Sequence, residues 1–152
     1  MRALLLLVFS AALPAQSLLI LPSPPAREES SFRIIFASSE DRPLVALQWD
    51  LLLPEGVTLQ DIKSAEAASS VHKSVTCSKV RAEDQKDTAS QRHRCILAGG
   101  QLPLPDGPLA TVTCKFRPGL REATVRLKKV VGVSREVKPI NIEDAEGTIT
   151  AQ

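Results

Sequence analysis

The chain has 152 residues, 43% hydrophobic, 24% charged and 3% aromatic, which suits one domain and leaves no room for two of ordinary size. Nineteen Lys and Arg against seventeen Asp and Glu give a formal charge of +2, without the basic excess or aromatic-interleaved patches of a nucleic-acid binder. The supply of Val, Ile and Leu excludes a disordered chain, while one Trp, four Phe and no Tyr weaken any function that needs an aromatic binding platform.

The N-terminus reads as an address. A single positive charge, Arg2, precedes an apolar run from Ala3 to Phe9 that continues through Ser10, Ala11 and Ala12. Leu13-Pro14-Ala15-Gln16-Ser17 then sets a helix-breaking Pro among small residues. This is the order of a secretory signal peptide over residues 1–15, cleaved after Ala15 or, alternatively, after Ser17. The run is roughly half the ~20 residues that span a bilayer. A buried N-terminal strand or helix is the competing reading. No Cys near the cleavage site offers a lipid anchor, and 147–152 is no membrane anchor. The expectation is a secreted or periplasmic domain of about 137 residues, large enough to bury about two-thirds of its unfolded surface. Residues 16–29, with Pro22, Pro24 and Pro25 followed by Arg27, Glu28 and Glu29, read as a lead-in or short stalk. The domain proper is expected over 30–152.

From residue 30 onward the hydrophobic period is two, the signature of strands. Phe32, Ile34 and Phe36 alternate with Arg33, Ile35 and Ala37. Val45, Leu47, Trp49, Leu51 and Leu53 alternate with Ala46, Gln48, Asp50 and Leu52, and Pro54-Glu55-Gly56 turns the chain. Val57, Leu59 and Asp61 share a phase, and 64–70 is a small-residue stretch long enough for one helical turn. A short strand ends at Val75 and Cys77, and another starts at Arg94-Cys95-Ile96-Leu97-Ala98 and closes at Gly99-Gly100. An Asp106-Gly107 turn signal leads into a strand from Leu109 to Phe116, and Pro118-Gly119 turns it. Ala123 to Val131 is a strand with Val125 and Leu127 inward, Arg126 and Lys128 outward. Val137, Ile140 and Ile142 fall in a short edge segment, and 148–151 is the last strand. Eight or nine short strands with turns every 8–12 residues and no amphipathic helix predict an all-β, antiparallel two-sheet sandwich.

Cys77 and Cys95 bracket Ser78 to Arg94, a stretch holding Lys79, Arg81, Glu83, Asp84, Lys86 and Asp87. Export favours disulfides, and a Cys77–Cys95 bridge would tie the ends of this polar loop, worth about 3 kcal/mol in the chain-entropy model. Cys114 alternates in phase with Val112 and Phe116, as a buried small hydrophobe. Three cysteines nonetheless permit three single pairings. A zinc set of His72, Cys77, His93 and Cys95 competes, but the odd spacing of His72 and Cys77 points them to opposite faces of a strand.

The sequence carries little chemistry. Gly-x-Ser-x-Gly, a phosphate-cradling loop, His-Glu-x-x-His and an EF-hand loop are all absent. Glu40-Asp41 and Glu143-Asp144 are adjacent pairs that point apart on extended chain. The expectation is a protein that is not an enzyme and needs no cofactor or metal. Hydrolysis, the outlying reading, would need His72 or His93 beside a nucleophile in a cleft. Trp49 could be a sugar-stacking platform, but its aliphatic phase mates place it between the sheets. The outward residues Gln48 and Asp50 beside Ala46, then Thr111, Thr113 and Lys115, then Arg126 and Lys128, form the candidate partner-binding set.

Val45-Ala46-Leu47-Gln48-Trp49-Asp50-Leu51 running into Leu53-Pro54-Glu55-Gly56-Val57 resembles the early strand of cohesin-like domains. Gly107-Pro108-Leu109-Ala110-Thr111-Val112-Thr113 is similar to the later family strand, and Gly147-Thr148-Ile149-Thr150 to the closing one. Thr76-Cys77 and Arg94-Cys95 look like a variant found in short, single-domain exported bacterial members. The resemblance implies a nine-stranded jelly roll related to one class of carbohydrate-binding modules. It also implies calcium-dependent capture of a dockerin-like extracellular protein through a polar sheet face, in the service of polysaccharide degradation. The calcium belongs to the dockerin, so the resemblance places no metal ligand in this chain. The combined expectation is a monomeric, unanchored protein-docking module, the alternative being polysaccharide binding on the same fold.

Overall fold

The computed structural model describes residues 16–39, 41–81 and 91–152; the stretch read as a signal peptide lies outside them. Within the described residues the order is β1 (Ser17–Pro22), β2 (Glu29–Ala37), β3 (Leu44–Leu53), β4 (Val57–Ser64), α1 (Glu66–Ser69), β5 (Ser74–Lys79), β6 (Gln91–Ala98), β7 (Gly107–Phe116), β8 (Glu122–Ser134), β9 (Pro139–Asn141) and β10 (Ala145–Thr150). Two antiparallel sheets form. One has four strands in the order β1-β2-β7-β4; the other has six, in the order β10-β8-β3-β6-β5 with β9 paired to β8. The all-β sandwich expected from the period-two pattern is what forms, with ten strands.

The alternating side chains explain the layering. Phe32, Ile34 and Phe36 of β2, with Leu109, Val112 and Phe116 of β7, fill the core from one sheet. Leu47, Trp49, Leu51 and Leu53 of β3 and Val125 and Leu127 of β8 fill it from the other. Trp49 is fully buried, so its phase decided its place. The turn at 54–56 forms as read: the Val57 N–H donates to the Pro54 carbonyl at 3.2 Å, with Gly56 at φ +84°.

Three features depart from the sequence reading. Among the described residues the sandwich begins at Ser17, because residues 17–22 pair with β2, with Leu18 and Ile20 in the core; Pro22 at the strand's end suits an edge strand. Its neighbour across the sandwich edge is β10, where a Cβ on Gly147 would stand 2.7 Å from Ile20 Cγ2, so only Gly permits the closure. Strands β5 and β6 also reach further into the polar stretch between the cysteines than its composition implies, to Lys79 and back from Gln91. Finally, β8 carries a bulge. Its register against β3 runs Asp50↔Lys128 and then Gln48↔Val131, one extra residue on β8, with Lys129 at φ +50°. The bulge reverses the phase, so Val130 turns inward and Val131 and Val133 turn outward.

Candidate docking face

Cys77 and Cys95 are directly opposed on β5 and β6 and form a disulfide, with Cα atoms 4.1 Å apart. Cys114 is free and buried, and burial pushes its thiol pKa up to about 12. The bridge uses both thiols of the alternative zinc set, and among the described residues no cluster of three potential metal ligands occurs. The histidines stand apart: His72 follows α1 and packs beside Gly99, while His93 lies opposite Leu51, six strand residues or about 20 Å from that end of β6. They do not converge on one cleft.

The seven candidate contact residues do not share a surface. Thr111, Thr113 and Lys115 lie on the outer face of the four-stranded sheet, whereas Gln48, Asp50, Arg126 and Lys128 lie on the outer face of the six-stranded one. These faces point in opposite directions from a common core, so one compact partner cannot engage both sets. Sequence phase says only inward or outward; it does not say which sheet a strand joins.

The outer face of the six-stranded sheet is divided along its strands. Toward the end marked by Ser134, the row Thr76, Ile96, Gln48, Val131 and Asn141 crosses β5, β6, β3, β8 and β9. Beyond it lie Ser74 beside Ala98, and Ala46 beside Val133 and Pro139. This half is mostly small and apolar, with Gln48 in its middle and Thr76, Ser74 and Asn141 at its flanks; Ile96, between Thr76 and Gln48, is 47% exposed. Toward the other end the rows are charged. Arg94, Asp50 and Lys128 form one; Arg92, Leu52, Arg126 and Glu146 form the next.

Asp50 is not the exposed contact that its phase implied. Its side chain is 1% exposed, roofed by two arginines of β6. Arg94 grips it with Nε at 2.9 Å and Nη2 at 3.2 Å, and Arg92 Nε lies at 3.9 Å. Such a two-pronged guanidinium–carboxylate contact fixes both groups. Arg126 pairs with Glu146 at 3.5 Å and Lys128 with Asp144 at 3.9 Å, and these four side chains line a shallow groove with Ala145. Sequence reasoning missed Ile96, although alternation with inward Cys95 and Leu97 marks it as outward. It missed Val131 and Val133 because the bulge hides their phase. All four described aromatic side chains, Trp49, Phe32, Phe36 and Phe116, are in the core.

With this geometry in place, comparison with solved structures gives one answer. A cohesin module from a Clostridium perfringens family 33 glycoside hydrolase superposes with a TM-score of 0.65 at 10% identity, covering 90% of this chain and 96% of the other. The fold is that of a cohesin. A non-cellulosomal cohesin from the archaeon Archaeoglobus fulgidus matches with a TM-score of 0.61 at 12% identity, covering 89% of each chain. A cohesin of Acetivibrio cellulolyticus solved in complex with a dockerin matches with a TM-score of 0.60 at 14% identity, covering 87% of this chain and 96% of that one. No family model matches the sequence, and no curated protein does. The cohesin-like fold therefore rests on the strand order and the path of the chain.

Proposed function

We propose that the domain is a non-enzymatic protein-docking module whose partner seats on the outer face of the six-stranded sheet. One observation carries the reading: a half of small and apolar residues, with Val131 and the exposed Ile96 on either side of Gln48 and with Thr76, Ser74 and Asn141 at its flanks, adjoins a charged half built on Arg94, Asp50 and Lys128. A central apolar area with a polar, charged margin is the composition of a protein interface. The cohesin fold supports a dockerin-type partner, since the similar Acetivibrio cellulolyticus cohesin was solved with one. A disulfide in so small a domain supports an oxidising compartment, in keeping with export of the mature chain. The carbohydrate alternative loses its usual means, because the described rings are all buried.

The test is capture of the producer's secreted proteins on immobilised domain 16–152, with and without a calcium chelator. A single protein retained in stoichiometric amount and released by the chelator is the expected result. Retention of polysaccharide with no protein would overturn the reading.

A further inference from the structure

The β8–β9 hairpin carries a residue that the fold does not ask for. Ser134 and Lys138 close it: the Ser134 N–H donates to the Lys138 carbonyl at 3.0 Å, and Ser134 Oγ accepts from the Lys138 N–H at 3.2 Å. Arg135, Glu136 and Val137 make the three-residue loop, with the Val137 N–H donating to the Ser134 carbonyl at 2.9 Å. Val137 takes φ +60°. Hairpin loops of this length end in a left-handed residue, a position suited to Gly, because a Cβ crowds the following carbonyl there and a branched one crowds it more. The Val137 side chain meanwhile contributes nothing to the core, being 81% exposed. Gly or Asn would serve the turn better on both counts.

The other described non-Gly residues with positive φ are Glu28, His72 and Lys129. None is β-branched, and Lys129 has a task in the fold, the bulge. Val137 has none, yet its place is distinctive. β8 leads to it directly from Val131 and Val133, and β9 returns from it through Pro139, the partner of Val133. It stands at the tip of the apolar half of the face described above.

We infer that Val137 is a partner-contacting anchor of that face, held out at a hairpin tip to enter an apolar recess of the docked protein. The inference rests on the docking reading. A short loop pinned by three hydrogen bonds presents the side chain already ordered, so little freedom is lost on binding. Strained residues cluster at functional sites, and Val137 combines strain with the absence of a packing role.

The experiment compares the wild-type domain with Val137→Gly, Val137→Asn and Val137→Ile. The probe is the protein retained by the wild type in the capture above, identified by peptide sequencing and prepared pure. Thermal midpoint and Kd are measured for each form. Val137→Gly and Val137→Asn should melt higher than wild type yet bind about tenfold or more weakly, while Val137→Ile keeps wild-type affinity. Variants that melt higher and bind as wild type does would overturn the inference and leave the docking reading standing. Variants that melt no higher would remove its premise, that valine is held there against its preference. A wild-type domain that retains no protein would sink the docking reading first, and this inference with it.

Discussion

Asp50 shows how one residue on a sheet face can belong to the fold and the surface at once. Its strand phase puts it outside the core, yet its carboxylate is almost wholly covered by Arg94 and Arg92. Those guanidiniums keep solvent-facing area, so the pair is partly screened and is worth less than a deeply buried one. Replacing Asp50 with Ala removes the acceptor both arginines share and leaves a space beneath them. The expected loss is about 1–3 kcal/mol, read as a lower denaturant midpoint at unchanged slope, with Asp50→Asn milder. His93 has a different sensitivity. Burial, and then the Lys79 charge, hold its pKa below the usual 6.5. The unfolded chain therefore binds the proton more readily, and stability present above that pH is lost as pH falls through the folded-state value. Between about pH 7 and pH 5 the unfolding midpoint should drop, and His93→Gln should flatten that part of the profile. An unchanged slope in the variant would assign the acid sensitivity to other groups.

At the level of elements, legibility followed the period of the pattern. β2, β3 and β7 were readable because the inward positions recur every second residue from Phe32 to Phe36, from Leu47 to Leu53 and from Ala110 to Phe116. The disulfide was readable for a related reason: Cys77 and Cys95 lie on two strands that flank one polar connection, and antiparallel neighbours bring such residues opposite each other. β8 was readable only as far as Lys128. A single residue in a left-handed conformation, Lys129, shifts everything after it, and a Val-Val pair gives the same hydropathy on either side of the slip. β1 escaped because its terminal Pro22, with Pro24 and Pro25 just beyond it, imitates a stalk, although Leu18 and Ile20 already had the inward phase. Local composition reports the period; bulges and edge pairing are decided by contacts far away in sequence.

The largest step, from elements to molecule, is the assignment of strands to sheets, and there the sequence was least informative about the site. Outward residues of β7 and of β3 and β8 look equivalent along the chain, yet the crossing of β7 into the four-stranded sheet sends Thr111, Thr113 and Lys115 to the opposite side from Gln48, Arg126 and Lys128. This separation makes the docking reading sharply testable, because each face can be altered with the other as its control. Ile96→Asp places a charge in the apolar half at a position already 47% exposed, so it should fold normally and bind the captured partner at least about tenfold less well, as truncation or charging of an interface anchor does. Lys115→Glu, exposed on the other face and paired in register with Glu29 and Thr58, should bind as wild type does. Intact binding by Ile96→Asp with loss in Lys115→Glu would move the interface to the four-stranded sheet. Loss in both, with circular dichroism unchanged, would require a partner that wraps an edge of the sandwich, at β4 and β5 or at β1 and β10, where the two sheets approach each other.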